Sequence, residues 1–165
     1  MKKTGFAYLV SACLCGRACR YNGSAAPHSE GLWRLYRAGR AVLVCPECLG
    51  GLKIPRLPAE IRAGRVFDSA GQDLTPAFKL GAARTLAIAR KYGISKAILK
   101  ERSPSCGSSL IYDGSFSGRK VTGQGITAAL LRAHGLLVCS EEDLPADFSP
   151  FEPLPLQNSF CNQTR

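Results

Sequence analysis

With 165 residues, 45% of them hydrophobic, and a formal charge of +10, the chain can bury a core of its own, and no apolar run approaches the length of a membrane span. The charge points to an anionic partner such as a nucleotide or a phosphate-bearing metabolite. The basic residues are dispersed, however, with no dense block, aromatic ladder or recognition-helix pattern, so neither a polynucleotide nor a membrane is expected as partner. Eight cysteines would suit a disulfide framework in a small secreted chain; here, among strand and helix signals throughout, they fit metal or cluster ligation in a reducing cytoplasm better.

Lys2-Lys3 and the apolar segment ending Val10-Ser11-Ala12-Cys13 resemble a bacterial lipoprotein signal. The segment is at the short end for that role, and its removal would delete the first strand, expected over Gly5 to Ala12. A loop with three thiols follows, Cys13, Cys15 and Cys19, closing on an Asn22-Gly23 turn. Leu32, Leu35 and Tyr36 share one face of a short helix stopped by Gly39. The second strand, Ala41 to Val44, opens into a Gly- and Pro-rich stretch, Cys45 to Glu60, of a length that marks a functional loop. Thr75-Pro76 starts a long helix, with Thr75 as acceptor for free N–H groups, a stripe of Phe78, Ala82, Leu86 and Ala89, and a stop at Gly93.

The third strand, Ala97 to Leu99, delivers the chain to Lys100-Glu101-Arg102-Ser103-Pro104-Ser105-Cys106-Gly107-Ser108-Ser109, a loop with one Cys among four serines. Asp113-Gly114 is a hairpin-type turn. Gly123-Gln124-Gly125 is either a tight turn or a cradle of backbone N–H groups for an anion. Ile126, Ala129, Leu130 and Ala133 stripe the last helix, and Leu136 to Cys139 is a fourth strand. The alternation of strands and helices predicts one α/β domain over residues 1–144, a small parallel, Rossmann-like sheet with helices on both faces; residues 145–165 read as an irregular Pro-rich tail.

Cys13, Cys45 and Cys106 each follow a short apolar run. If those runs are parallel strands of one sheet, the three thiols converge on the edge where α/β proteins bind ligands. Soft thiolates select iron–sulfur clusters, and three ligands for four irons leave one iron open. Two alternatives use other thiols. Cys45-x-x-Cys48 is spaced as a redox pair, although such pairs open a helix and Gly50-Gly51 follows here; Cys15, Cys19, Cys45 and Cys48 are spaced for a four-thiolate zinc site, which leaves Cys13 and Cys106 unexplained. Cys139 reads as a buried small hydrophobe and Cys161 as incidental.

Ser11-Ala12-Cys13-Leu14, Cys19-Arg20-Tyr21, Cys45-Pro46-Glu47, Gly50-Gly51-Leu52, Pro55-Arg56-x-Pro58-Ala59-Glu60, Leu99 to Gly107 and Ile111-Tyr112-Asp113-Gly114-x-Phe116-x-Gly118 together resemble the DUF523 family, whose characterised members are thiouracil desulfidases. The resemblance runs from about residue 7 to 142. It implies a [4Fe-4S] cluster on Cys13, Cys45 and Cys106 with one iron not bound by the protein, and a non-redox desulfuration of a thiolated pyrimidine, 2- or 4-thiouracil or its nucleoside or nucleotide. It also implies Glu47 as catalytic acid/base and Ser103 as catalytic serine. Cys15, Cys48 and Asn22 depart from the family pattern.

A thiocarbonyl sulfur is soft and suits iron, and the attacking water must lose a proton that Glu47 can take. Lys100, Arg102 and Ser105 are the expected contacts to substrate or to its anionic group. The structural alternatives are a loop carboxylate paired with a basic residue for Glu47 and a turn cap before Pro104 for Ser103. The competing functional reading is a non-catalytic iron–sulfur or structural zinc protein that binds or senses sulfur compounds.

Overall fold

The computed structural model describes residues 5–146 and 148. Four short strands, β1 (Tyr8–Ser11), β2 (Ala41–Val44), β5 (Lys96–Leu99) and β8 (Leu137–Ser140), form a parallel sheet in the order β2-β1-β5-β8. The pleat sends successive side chains to opposite faces. Tyr8, Val10, Ile98 and Cys139 therefore pack with Leu32 and Leu35 of helix α1 (Glu30–Arg37) on one face. Leu9, Ala97, Leu99 and Val138 pack with Leu86 and Ala89 of α3 (Thr75–Tyr92) and Ala128 and Leu131 of α4 (Ile126–Ala133) on the other. Both faces are covered, as the apolar strand runs require.

Because all four strands point the same way, their C-terminal ends share one edge. From β1 the chain crosses to β2 on one side, and from β5 to β8 on the other, so the topology switches between β1 and β5, where the crevice of such sheets opens.

Two antiparallel hairpins flank the parallel sheet, and only the second has a turn signal in the sequence. The first, β3 (Ala59–Arg62) with β4 (Arg65–Asp68), lies within and beyond the stretch read as a loop. Its turn is Ala63-Gly64, both at positive φ, 49° and 74°; no Asn-Gly or Asp-Gly signals it. The second pairs β6 (Leu110–Tyr112) with β7 (Lys120–Thr122). Asp113-Gly114 is therefore in a hairpin connection, but one of residues 113–119 rather than a two-residue turn.

Three local expectations are corrected. Thr75 does not cap α3: its Oγ1 accepts from the Val66 amide at 2.9 Å, tying β4 to the helix. The amides of Gly123 and Gly125 are donated to Ser109 O and Gly107 O at 2.9 and 2.8 Å, leaving no anion cradle there. Cys45-x-x-Cys48 does open a helix, α2 (Pro46–Leu49), with Cys45 at its N-cap, so the objection raised against a redox pair does not stand. The expected tail falls outside the described residues except for 145, 146 and 148, and Cys161 lies outside them.

Candidate active site at the C-terminal edge of the sheet

The strand ends decide where each thiol sits. Cys13 is in the 3-10 turn Ala12–Cys15 that leaves β1, Cys45 follows β2 directly, and Cys106 lies in the loop after β5. All three line one cavity of about 590 Å³, together with Cys19, Glu47, Glu60, Lys100, Glu101, Arg102 and Ser103. Cys13 and Cys106 are buried, at 8% and 5% exposure.

The loop that carries Cys106 is wound around a carboxylate. Glu101, only 3% exposed, takes four backbone amides on Oε1, from Arg102, Ser108, Ser109 and Leu110 at 2.9–3.3 Å, and the hydroxyls of Ser108 and Ser109 on Oε2 at 2.8 and 3.1 Å. Burial pushes its pKa upward, but these donors outweigh burial, and the net direction is down from the ordinary carboxylate value. Arg132 braces the same loop through Ser108 O at 2.6 Å. At its far end the backbone of residues 105–106 touches the start of α4: a Cβ on Gly125 would sit 2.4 Å from Ser105 O.

Ser103 Oγ accepts from the amides of Ser105 and Cys106 at 3.1 and 3.0 Å. It is thus a turn cap, as the structural alternative has it, and one that fixes Cys106 itself. Both bonds use it as acceptor, so its own proton remains for a neighbour. Its hydroxyl and that of Ser11 approach the Cys106 sulfur and favour its thiolate, yet burial dominates and pushes the thiol up to about 12.

Glu47 stands on α2, two residues past Cys45. Both its neighbouring elements hold it. The α2 backbone lies directly on α3, with Gly50 and Gly81 at the contact: a Cβ on Gly81 would fall 1.9 Å from Pro46 O and one on Gly50 2.1 Å from Ala77 O. The side chain is paired with Arg56, whose Nε and Nη2 reach Oε2 at 2.8 and 2.5 Å. The basic partner that the sequence allowed for Glu47 is therefore present, and it lines the same cavity.

The expected anion contacts are placed differently. Lys100 Nζ is ion-paired with Glu141, and Arg102 with Glu142. Both cations line the cavity but arrive there with a carboxylate already bound. Ser105 is not brought to the cavity: it is 1% exposed and shares a 2.8 Å hydrogen bond with Thr127. Arg20, which was not singled out, lines the cavity with a 3.5 Å bond to Ala25 O and no carboxylate partner among the described residues.

The remaining thiols sort by position. Cys19 stands beside the thiols of Cys13 and Cys45, and the neighbouring Cys13 thiol is the main reason its pKa is pushed up to about 11. Cys45 is raised chiefly by the neighbouring Cys19 thiol and then by burial, and Cys48 to about 11 by burial. Cys15 is buried in the α1-side core, not at the cavity, and burial pushes it up to about 11. Cys139 is buried within β8.

The seven described cysteines are free thiols. Among the described residues no three His, Cys, Asp or Glu side chains are gathered tightly enough for a single metal ion. Thiols spread around one cavity, one of them with two hydroxyls at its sulfur, suit a polynuclear cluster, in which each thiolate meets a different iron and hydrogen bonds to sulfur tune the centre. Raised thiols keep their protons near neutral pH, and metal loading must displace them.

Thiols, a carboxylate and a serine gathered at the switch point of a parallel sheet define an α/β protein with a cofactor-type crevice. The chain belongs to the 2-thiouracil desulfurase family, which it matches over residues 8–143. Among its relatives is the protein YbbK of Bacillus subtilis (strain 168), 49% identical over 146 residues that cover 82% of this chain and 96% of the relative. Among solved structures, the [4Fe-4S]-dependent thiouracil desulfidase TudS is similar with a TM-score of 0.82 and 46% identity, over 85% of this chain and 93% of that one.

Proposed function

We propose that the chain holds a [4Fe-4S] cluster on Cys13, Cys45 and Cys106 and catalyses the non-redox desulfuration of a thiolated pyrimidine, 2- or 4-thiouracil or its nucleoside or nucleotide, to the oxo form with release of sulfide. The observation that carries this reading is the gathering of those three thiols with Glu47 and Ser103 around one cavity, in a member of this family. The chemistry a bound cluster supplies is Lewis acidity at the iron without a protein ligand, which polarises the soft thiocarbonyl and makes its carbon electrophilic.

The chain's own residues handle the proton and the orientation. Glu47 accepts the proton that water loses as it attacks, and Ser103 turns its hydroxyl proton from the Cys106 sulfur to a ring carbonyl or to the water. The net exchange is thiocarbonyl plus water to carbonyl plus hydrogen sulfide, with nothing oxidised or reduced. An anionic group on the substrate meets Arg20, since Lys100 and Arg102 are held by Glu141 and Glu142. Free thiols and an exposed iron suit a reducing cytoplasm. No helix among the described residues is long and apolar enough to cross a membrane.

The test is anaerobic turnover of thiouracil, its nucleoside and its monophosphate side by side, with uracil and sulfide measured together. Sulfide in step with uracil from at least one of them is expected. Binding without sulfide from any of the three would favour the non-catalytic iron–sulfur reading.

A further inference from the structure

We propose that Arg56 is a positioning residue that aims Glu47, so that the carboxylate offers the cavity a single oxygen, Oε1. The inference rests on the reading of Glu47 as general base. Arginine usually meets a carboxylate fork to fork, one donor on each oxygen. Here Nε and Nη2 both fall on Oε2, at 2.8 and 2.5 Å. Oε1 takes neither donor, and no buried side-chain oxygen or nitrogen among the described residues is left without a hydrogen bond. Oε1 is therefore open to the cavity that Glu47 lines.

The guanidinium is itself fixed from two further directions. Nη2 also donates to Cys19 O at 3.1 Å and Nη1 to Lys53 O at 3.2 Å, while the Arg56 amide donates to Tyr21 O at 2.8 Å. Cys19 O in addition accepts from the Cys45 thiol at 3.9 Å. Arg56 thus joins the loop after β1, the start of α2 and its own loop, and sets Glu47 relative to the thiols on either side of it. The paired side chains are only 11% and 15% exposed, so solvent and salt screen the pair little. A glutamate without this partner has three side-chain torsions to search, and a misplacement of about 1 Å can cost roughly 100-fold in rate.

The test is a double-mutant cycle on the cluster-loaded protein, with Arg56→Met, Arg56→Lys, Glu47→Gln and the Arg56→Met/Glu47→Gln pair, and with iron content measured for each. Arg56→Met is expected to lower kcat roughly 10- to 100-fold with KM within about twofold. Arg56→Lys should recover part of the loss, because it keeps the charge and one donor. In the Glu47→Gln background Arg56→Met should cost nothing further, and thermal melts of the cluster-free proteins should show the same non-additivity. The same fold-loss in both backgrounds, or a raised KM with kcat unchanged, would overturn the proposal, since Arg56 would then act independently of Glu47 or touch the substrate. If Glu47→Gln leaves kcat unchanged, the base assignment itself falls, and the melting cycle reports separately on whether the pair holds.

Discussion

Replacing Glu101 by Gln keeps the shape of the side chain around which the Cys106 loop is wound and removes only its charge. The carbonyl oxygen of Gln can still take the four amides that converge on Oε1, and the hydroxyls of Ser108 and Ser109 can turn to accept from the new NH2. Six charge-assisted bonds become neutral ones, each weaker by about 1 kcal/mol, an upper limit near 6 kcal/mol. Against this, the buried charge no longer has to be desolvated, which returns several kcal/mol. The downward direction of the Glu101 pKa shows that the bonds outweigh burial, so the net effect is a loss well below that limit, within the range of an ordinary buried substitution, about 1–3 kcal/mol, or roughly 2–12 °C in Tm for a chain of this size.

The sign with pH follows from that direction. A carboxylate whose folded pKa is depressed contributes stability above its unfolded value of about 4.3 and loses it as pH falls through the lower folded value. Thermal melts of the cluster-free protein between neutral and acid pH are the assay. The wild-type advantage over Glu101→Gln should be full at neutral pH and shrink only in the acid range. A Glu101→Gln protein that melts with the wild type at neutral pH would refute the reasoning and make the buried carboxylate energetically neutral.

Replacing Cys13, Cys45 or Cys106 by Ser should each abolish the brown absorbance and the bound iron, whereas Cys15→Ser should lower Tm but keep the iron and Cys161→Ser should change neither; loss of iron in Cys15→Ser and Cys48→Ser alike would require another ligand set. Glu47→Gln should keep the cluster and slow single-turnover sulfide release about 10²–10⁴-fold, while Ser103→Ala, which loses a neutral hydrogen bond to substrate of about 0.5–1.5 kcal/mol and also frees the Ser105 and Cys106 amides, should slow it at least roughly tenfold and lower Tm. If a phosphate is read at the cavity, Arg20→Met should abolish any preference for the monophosphate over free thiouracil at low salt, with Lys100→Met and Arg102→Met having smaller effects; the reverse ranking would place the anion beside Glu141 and Glu142.

The parallel sheet was legible because its strands are apolar on both faces and each ends in a residue type with chemical meaning. The same pattern gave the α3 stop at Gly93, which adopts φ 65°. The β3–β4 hairpin was not legible: Glu60, Arg62 and Arg65 interrupt the apolar signal, and its turn puts Ala63 where Asn is the usual cue. At the site, residue types were readable and pairings were not. Lys100 and Arg102 stand beside the Cys106 loop in sequence, but the carboxylates that occupy them come from residues 141 and 142, just past the end of the neighbouring strand β8. Arg56 and Glu101 were visible in the motifs without a role, since the partners of one lie nine and 37 residues away and those of the other are mostly backbone amides, which no side-chain pattern displays.

The most direct test of the central claim is to run the reaction anaerobically in oxygen-18 water with no electron donor and analyse the pyrimidine product and sulfide together. Hydrolytic, non-redox desulfuration predicts uracil carrying the heavy oxygen where sulfur was, with sulfide in equal amount. A requirement for a reductant, or a product without the label, would contradict it.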